Sequence, residues 1–319
     1  MKEFDLIEHY FAKQTTHRDD VKIGIGDDAA VLIPNANKNL VITTDTLLEN
    51  VHFPKETLPY DIGYKALAVN LSDLAAMGAS PAYITMALTL PNENDDWIQS
   101  FCNGFFTLAN RYNVQLIGGD LTRGPLSITI TAMGYVTENL ALLRSTAKPG
   151  DLIYVTGTLG DAGLALKSIK QHLALKAEYQ REILERLHRP EPRITTGEAL
   201  QGIASSCIDI SDGLAADLTH ILDESDTGAK INVNQLPLSE ALTHSISAED
   251  AIHFALTSGD DYELCFTVPK AKQNELEKKL ATIACRYTCI GEMTKTKELD
   301  LHYQNGKKYH GPIDGYQHF

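Results

Sequence analysis

Residues 61–77 read as a helix that is apolar on two opposite sides. Ile62, Ala66, Val69 and Asp73 fall on one narrow face, and Leu67, Leu71 and Leu74 cover the other. A helix of this kind is buried, so other parts of the chain must cover both flanks. Asp73 is therefore expected to point into the protein, where an uncompensated carboxylate would cost several kcal/mol. A bound cation, a cluster of N–H groups or a buried arginine could compensate it. Few basic residues lie close by in sequence and acids abound elsewhere, which favours the cation.

The rest of the chain interleaves strands and helices. Apolar, β-branched runs predict strands at 40–44, 84–90, 114–117, 127–136, 152–156, 207–210 and 263–268. Helical spacing predicts helices at 3–12, 61–77, 95–111, 161–171, 178–187, 214–224 and 271–283. This alternation argues for α/β or α+β architecture. With 319 residues the chain exceeds one comfortable core, so two domains are expected. The turn Lys148-Pro149-Gly150-Asp151 places the boundary near 137–150. An N-terminal α/β domain would span 1–137, and a C-terminal α+β domain 148–319.

Charge and composition remove several classes of function. Asp and Glu number 42 against 28 Lys and Arg, a net charge of −14, and no basic stretch forms a nucleic-acid footprint. The opening segment carries Phe4, Ile7 and Phe11 at helical spacing with charges between them, unlike a signal peptide. The most apolar stretch, Ala66 to Ala79, is broken by Asn70, Ser72 and Asp73, so no membrane span is expected. Cys102, Cys207, Cys265, Cys285 and Cys289 are scattered and odd in number. Free thiols in a reducing compartment fit that pattern, and a cytoplasmic protein is expected.

The chemistry is carried by aspartates at the ends of strands and loops. Gly24-Ile25-Gly26-Asp27-Asp28 precedes an apolar run, and Leu40 to Asp45 is a strand running into two threonines and an acid. Leu116-Ile117-Gly118-Gly119-Asp120, Ile208-Asp209-Ile210-Ser211-Asp212-Gly213 and Ser258-Gly259-Asp260-Asp261 repeat the arrangement. Hard oxygen ligands suit Mg²⁺, which keeps some waters and completes its shell with substrate phosphates. Glycine beside an acid lets the backbone approach and donate N–H groups to phosphate oxygens. A single such loop is an ordinary turn; five favour metal binding. No Gly-x-x-x-x-Gly-Lys-Ser/Thr, no Gly-x-Ser-x-Gly elbow and no dinucleotide fingerprint is present. Phosphoryl transfer through aspartate-held metals is the reading that remains.

Taken in order, GIGDDAAV, TTDTLLENVHF, KALAVNLSDLAAMGA, LIGGDLTRG, LRSTAKPGD, IDISDGL and SGDDYEL resemble thiamine-monophosphate kinase. That family belongs with aminoimidazole-ribonucleotide synthetase and selenophosphate synthetase. The likeness runs from about residue 5 to the terminal GYQHF, and no early cysteine supports selenophosphate chemistry. It implies a two-domain PurM-like ATP-binding architecture, α/β plus α+β, whose N-terminal domains form a dimeric β-barrel in a homodimer. It implies Mg²⁺ ligands at Asp28, Thr43, Thr44, Asp45, Asp73, Asp120, Asp209 and Asp212. Asp27 is set apart, because two adjacent acids do not easily face one ion. The resemblance further implies ATP contacts at Gly119, Asp120, Arg144 and Ser211, and thiamine-monophosphate contacts at His52, Asp260 and Tyr316. At Asp260 the family usually carries Glu, so the carboxylate here is retracted by one methylene.

The implied reaction is ATP plus thiamine monophosphate giving thiamine diphosphate and ADP, with several Mg²⁺ ions. A phosphate monoester, with its second pKa about 6, is already a nucleophile at neutral pH, so no general base is required. Another ATP-using member of the superfamily with a different acceptor, a non-catalytic metal-binding protein, and a metal-dependent phosphatase are the competing readings.

Overall fold

The computed structural model describes residues 3–171 and 173–316. Gln317, His318 and Phe319, the end of the GYQHF segment, lie outside them. Two compact units divide the chain, one of residues 1–74 with 79–139 and the other of 75–78 with 140–319.

The first unit opens with a short helix, α1 (Glu3–Leu6), continued by a π turn at Ile7–Phe11, and a two-stranded ribbon of β1 (Val21–Ile23) and β2 (Val31–Leu32). Its sheet is built from β3 (Lys38–Leu48), β4 (Ser80–Leu90), β5 (Gln115–Arg123) and β6 (Ser127–Thr137), in the order β3-β6-β4-β5. β6 runs antiparallel to both β3 and β4, and β4 and β5 are parallel. Within the chain this sheet is open, with β3 and β5 at its edges. Helices α2 (Pro59–Ala76) and α3 (Asp95–Arg111) complete the unit.

The two-sided apolarity of α2 has the expected result: Leu67, Leu71, Leu74, Ala66 and Ala68 are all buried. Asp73 is only partly buried, because it meets Thr43 on β3, an edge strand of the sheet. On β3 the alternation of a pleated strand is plain. Thr43, Asp45 and Leu47 turn toward α2, where Asn70 and Asp73 meet them. Leu40, Ile42, Thr44, Thr46 and Leu48 point to the opposite face and are exposed.

The second unit contains β7 (Leu152–Thr156), α4 (Asp161–Gln171), α5 (Ala177–His188), α6 (Ile194–Leu200), β8 (Ser206–Asp209), α7 (Leu214–Ser225) and β9 (Gly228–Asn232). After these come α8 (Glu240–Ser245), α9 (Ala248–Thr257), β10 (Leu264–Val268), α10 (Gln273–Leu280), β11 (Tyr287–Thr294) and β12 (Leu299–His302). Its six strands lie in the order β12-β9-β11-β7-β10-β8, antiparallel throughout except for β12 against β9. One core joins this sheet to α7 and α9 through Ile153, Val155, Ile208, Leu218, Ile221 and Leu256. A satellite core lies among α4, α5, α8 and α9, around Leu164, Ile183, Leu187 and Leu242. Among the described residues no helix is long and apolar enough to cross a membrane.

Helices α2 and α3 cross at a pair of glycines. A methyl group on Gly63 would sit 2.1 Å from the Phe101 carbonyl oxygen, and one on Gly104 would sit 1.8 Å from that of Tyr60. Nothing larger than hydrogen fits, and backbone cannot yield as a flexible side chain would. Replacing Gly104 with Ala is expected to cost roughly 1–3 kcal/mol or more, as overpacking does. Urea unfolding of the variant checks this; an unchanged midpoint would refute the close crossing.

Candidate active site

The first unit brings three of the expected residues together where β3 meets α2. Thr43 Oγ1 donates a short hydrogen bond to Asp73 Oδ2. The Asp45 backbone N–H donates to Asn70 Oδ1 at 3.2 Å, and Asn70 is itself fully buried and bonded to the Ala66 carbonyl at 3.0 Å. Asn70 and Asp73 are one turn apart on α2, so one helix face grips the strand at two points. Burial, then the charge of Asp73, pushes the Asp45 carboxyl up to about 7. Two carboxyl groups this close disfavour joint ionisation, and a divalent cation would relieve them. Among the described residues no group of three or more His, Cys, Asp or Glu is placed to hold a metal unaided. Asp45, Asp73 and the Thr43 hydroxyl therefore suit an ion that takes its remaining ligands from water and phosphate.

Thr44 is not part of that cluster. Its hydroxyl lies on the other face of the sheet and pairs with Thr131 Oγ1 at 2.9 Å. Neighbouring residues on a strand point to opposite faces, so Thr43 and Thr44 cannot both aim a side chain at Asp73.

A second group lines a cavity of about 910 Å³ in the same unit. Asp27, Asp28, Gly118, Gly119 and Asp120 line it together with Glu8, and Ile7, Phe11 and Leu88 add apolar lining. Asp28 is exposed, and its backbone N–H donates to Asp27 Oδ1 at 2.8 Å. Gly119 is obligatory, since a side chain there would collide with the Met86 carbonyl oxygen at 1.9 Å. His52 closes the turn after β3: its Nδ1 accepts from the Leu48 backbone N–H at 3.0 Å, which leaves the ring proton on Nε2. The buried Lys65 donates to the His52 carbonyl at 3.1 Å.

The second unit gathers Asp209, Ser211, Asp212, Asp260 and Tyr316. Asp209 ends β8 and is buried, paired with Leu264 across β10. The turn beyond it is laced by main-chain bonds: Asp260 N–H donates to the Ser211 carbonyl at 2.9 Å, and Tyr316 N–H to the Asp212 carbonyl at 3.1 Å. The Tyr262 hydroxyl donates to Asp260 Oδ1 at 3.1 Å. Segments about fifty and a hundred residues downstream thus dock on one turn. Arg144 lies in a 3-10 turn, Arg144–Thr146, with its side chain exposed and its carbonyl accepting from Ser225 Oγ at 2.7 Å.

Sequence reasoning missed Asn70 and Asp217. Asp217 accepts from the backbone N–H groups of Asp212, at 3.0 Å, and Gly213, at 3.1 Å, bracing the turn from the first part of α7. Burial pushes this carboxyl up to about 7 against those bonds. The signal for Asn70 was its one-turn spacing from Asp73; for Asp217, an acid opening the helix that follows Ser-Asp-Gly.

The models for "AIR synthase related protein" match the chain twice, the N-terminal domain at 26–136 and the C-terminal domain at 148–304. Thiamine-monophosphate kinase of Escherichia coli is 48% identical over 318 residues, covering 99% of this chain and 98% of that one. The crystal structure of thiamine-monophosphate kinase from Stenotrophomonas maltophilia superposes with a TM-score of 0.88 at 46% identity, covering 97% of this chain and 98% of that one. AaThiL complexed with AMPPCP and TMP gives 0.79 at 28% identity, covering 99% and 96%.

The raised Asp45 carboxyl has a consequence for stability. A folded-state value above the ordinary 3.8 means that the folded protein holds a proton the unfolded chain releases, so stability is lost as pH rises from about 3.8 to about 7. Asp45→Asn, measured without divalent ions, is expected to remove this loss and raise the melting temperature at neutral pH. The gain is bounded at a few kcal/mol because the group is partly solvated. Melting curves for both proteins across that range test it; parallel pH profiles would refute it.

Proposed function

This chain belongs to the thiamine-monophosphate kinase family, and from that premise we propose how its residues carry out ATP-dependent phosphorylation of thiamine monophosphate to thiamine diphosphate. The observation that carries the proposal is the Thr43–Asp45–Asp73 cluster, in which two carboxyl groups are held together against their own repulsion. Magnesium, when bound there, neutralises phosphate charge and favours in-line transfer.

The acceptor phosphate oxygen forms a bond to the γ-phosphorus of ATP as the bond to the bridging oxygen of ADP breaks. No side chain need remove a proton from a dianionic phosphate, and none of the clustered groups is built as a Ser–His or Cys–His pair. What the chain supplies is charge and orientation. Asp28 and Asp120, on their common cavity, and Asp209 and Asp212, on the second unit's turn, are assigned to further magnesium ions. Gly119, Asp120, Ser211 and the guanidinium fork of Arg144 are assigned to ATP. His52, Asp260 and Tyr316 are assigned to the thiamine moiety, whose cationic ring suits an acid and an aromatic face. The resemblance implies Thr44 among the magnesium ligands, but its hydroxyl bond to Thr131 supports a place on the outer sheet face instead. In domain terms, residues 1–137 would carry the main metal and ATP groups, His52 and the dimer interface. Residues 148–319 would carry Asp209, Ser211, Asp212 and the substrate loop of Asp260, with Arg144 at the junction. The free cysteines suit a cytoplasmic setting.

The purified chain with ATP, Mg²⁺ and thiamine monophosphate is expected to give ADP and thiamine diphosphate in equal amounts. Asp45→Asn and Asp120→Asn should each lower turnover by roughly a hundredfold or more while leaving circular dichroism unchanged. Near-normal turnover at limiting Mg²⁺ would refute the metal assignment, and a trapped radiolabelled phosphoenzyme would refute direct transfer.

A homodimer completes the proposal. The outer face of β3 exposes Leu40 at 49%, Ile42 at 58% and Leu48 at 38%, an apolar row on an open edge strand. A second copy of the sheet laid against this face would cover the row and build the shared barrel. Ile42→Lys is expected to shift the protein from dimer to monomer in sedimentation, and a dimer unaffected by that charge would exclude this face.

A further inference from the structure

Within the loop that carries Asp260, two residues stand in left-handed backbone conformation without being glycine: Asp260 at φ 68° and Tyr262 at φ 49°. A bulky side chain pays a steric cost there and stays only when its surroundings over-determine it. Main-chain bonds supply part of the restraint, since Tyr262 N–H donates to the Ile210 carbonyl at 2.8 Å and Ile210 N–H to the Glu263 carbonyl at 2.8 Å.

The rest comes from below the loop. Asp261 turns inward and accepts from the Gly160 N–H at 2.7 Å. Glu263, 1% exposed, receives four side-chain donors. Arg193 binds it as a fork, Nε to Oε2 and Nη2 to Oε1, both at 2.6 Å. Arg186 Nη2 adds a bond at 2.8 Å and Thr156 Oγ1 another at 2.6 Å. Arg186 also donates to the Thr158 carbonyl at 3.0 Å, and α5, the residue that precedes α6, and β7 all reach one carboxylate. Burial works against the charge of Glu263, yet the two arginines hold it below the usual carboxylate range. A buried ion pair adds little net stability over apolar groups of equal volume. What a bidentate fork adds is direction.

We infer that Arg193 and Arg186 are positioning residues for the thiamine-monophosphate end of the site: by pinning Glu263 they lock the left-handed Asp260–Tyr262 segment and so aim the Asp260 carboxylate. Both arginines act through the loop, by way of Glu263. The inference rests on Asp260 facing the substrate, as proposed above.

The test separates KM values for the two substrates in the full-length protein, assayed well below each variant's melting temperature. Arg193→Gln is expected to raise KM for thiamine monophosphate roughly tenfold while KM for ATP stays within about twofold, because only the loop is re-aimed. Arg193→Lys, which keeps charge but loses the fork, should fall between. Thr156→Val removes one donor without an unpaired charge and gives a smaller shift of the same selectivity, so the inference stays testable if Arg193→Gln does not fold. Equal rises in both KM values, or a lower melting temperature with neither KM changed, would reduce the arginines to structural supports and overturn the inference. Asp260→Ala distinguishes the two layers. If it raises KM for thiamine monophosphate while Arg193→Gln and Thr156→Val do not, this inference alone fails. If it changes nothing, the substrate role of Asp260 fails and the inference with it.

Discussion

The first unit depends on a contact that electrostatics alone would prevent. Asp45 and Asp73 approach each other because α2, buried on both flanks, has no freedom to turn away from β3. The core sets the helix, the Gly63–Gly104 crossing sets its depth against α3, and Asn70 fixes its height along the strand. Packing of apolar groups thus holds together two acids that would otherwise separate. Active sites commonly spend stability in this way, keeping a charge arrangement that only a bound partner relaxes.

The second unit solves a related problem with backbone. Its candidate residues sit on turns, where the chain is least constrained, yet three distant segments exchange main-chain bonds at Ser211, Asp212 and Ile210. Asp217 braces this assembly from one side, and Glu263 with its arginines braces it from beneath. The loop above is held because the buried Glu263 carboxylate beneath it is paired with Arg186 and Arg193.

Strongly periodic or continuously apolar elements were legible in the sequence, and short polar ones were not. The helices at 95–111 and 161–171 and the strand at 152–156 have the bounds their patterns predict. β9 and β12 escaped because Gly-Ala-Lys-Ile-Asn and Leu-Asp-Leu-His are too short and too polar to declare a period. β11 carries an irregular pairing between Cys289 and Gly291, which breaks its alternation. α8 and α9 are short helices announced mainly by the capping serines Ser239 and Ser247. At the site, the acids of the Gly–Asp loops stood out because their residue types advertise chemistry. Asn70, Asp217, Arg186 and Arg193 did not, since their roles arise only from what folding sets beside them. Thr44 shows the reverse case: a motif names a residue, and the pleat of the strand turns its side chain elsewhere.

That pleat has a further consequence. β3 pairs with β6 over eleven residues from Lys38 to Leu48, and the threonine hydroxyls of 44 with 131 and 46 with 129 lock the outer face. A slip of a single residue would carry Asp45 to the wet side and leave Thr44 facing Asp73, with Leu40 and Ile42 driven inward. The strand would still be a strand, with the buried Leu47 drawn out of the core in exchange. Fidelity in the threonine ladder, a feature remote from any phosphate, therefore decides whether a correctly folded-looking sheet is also a competent one.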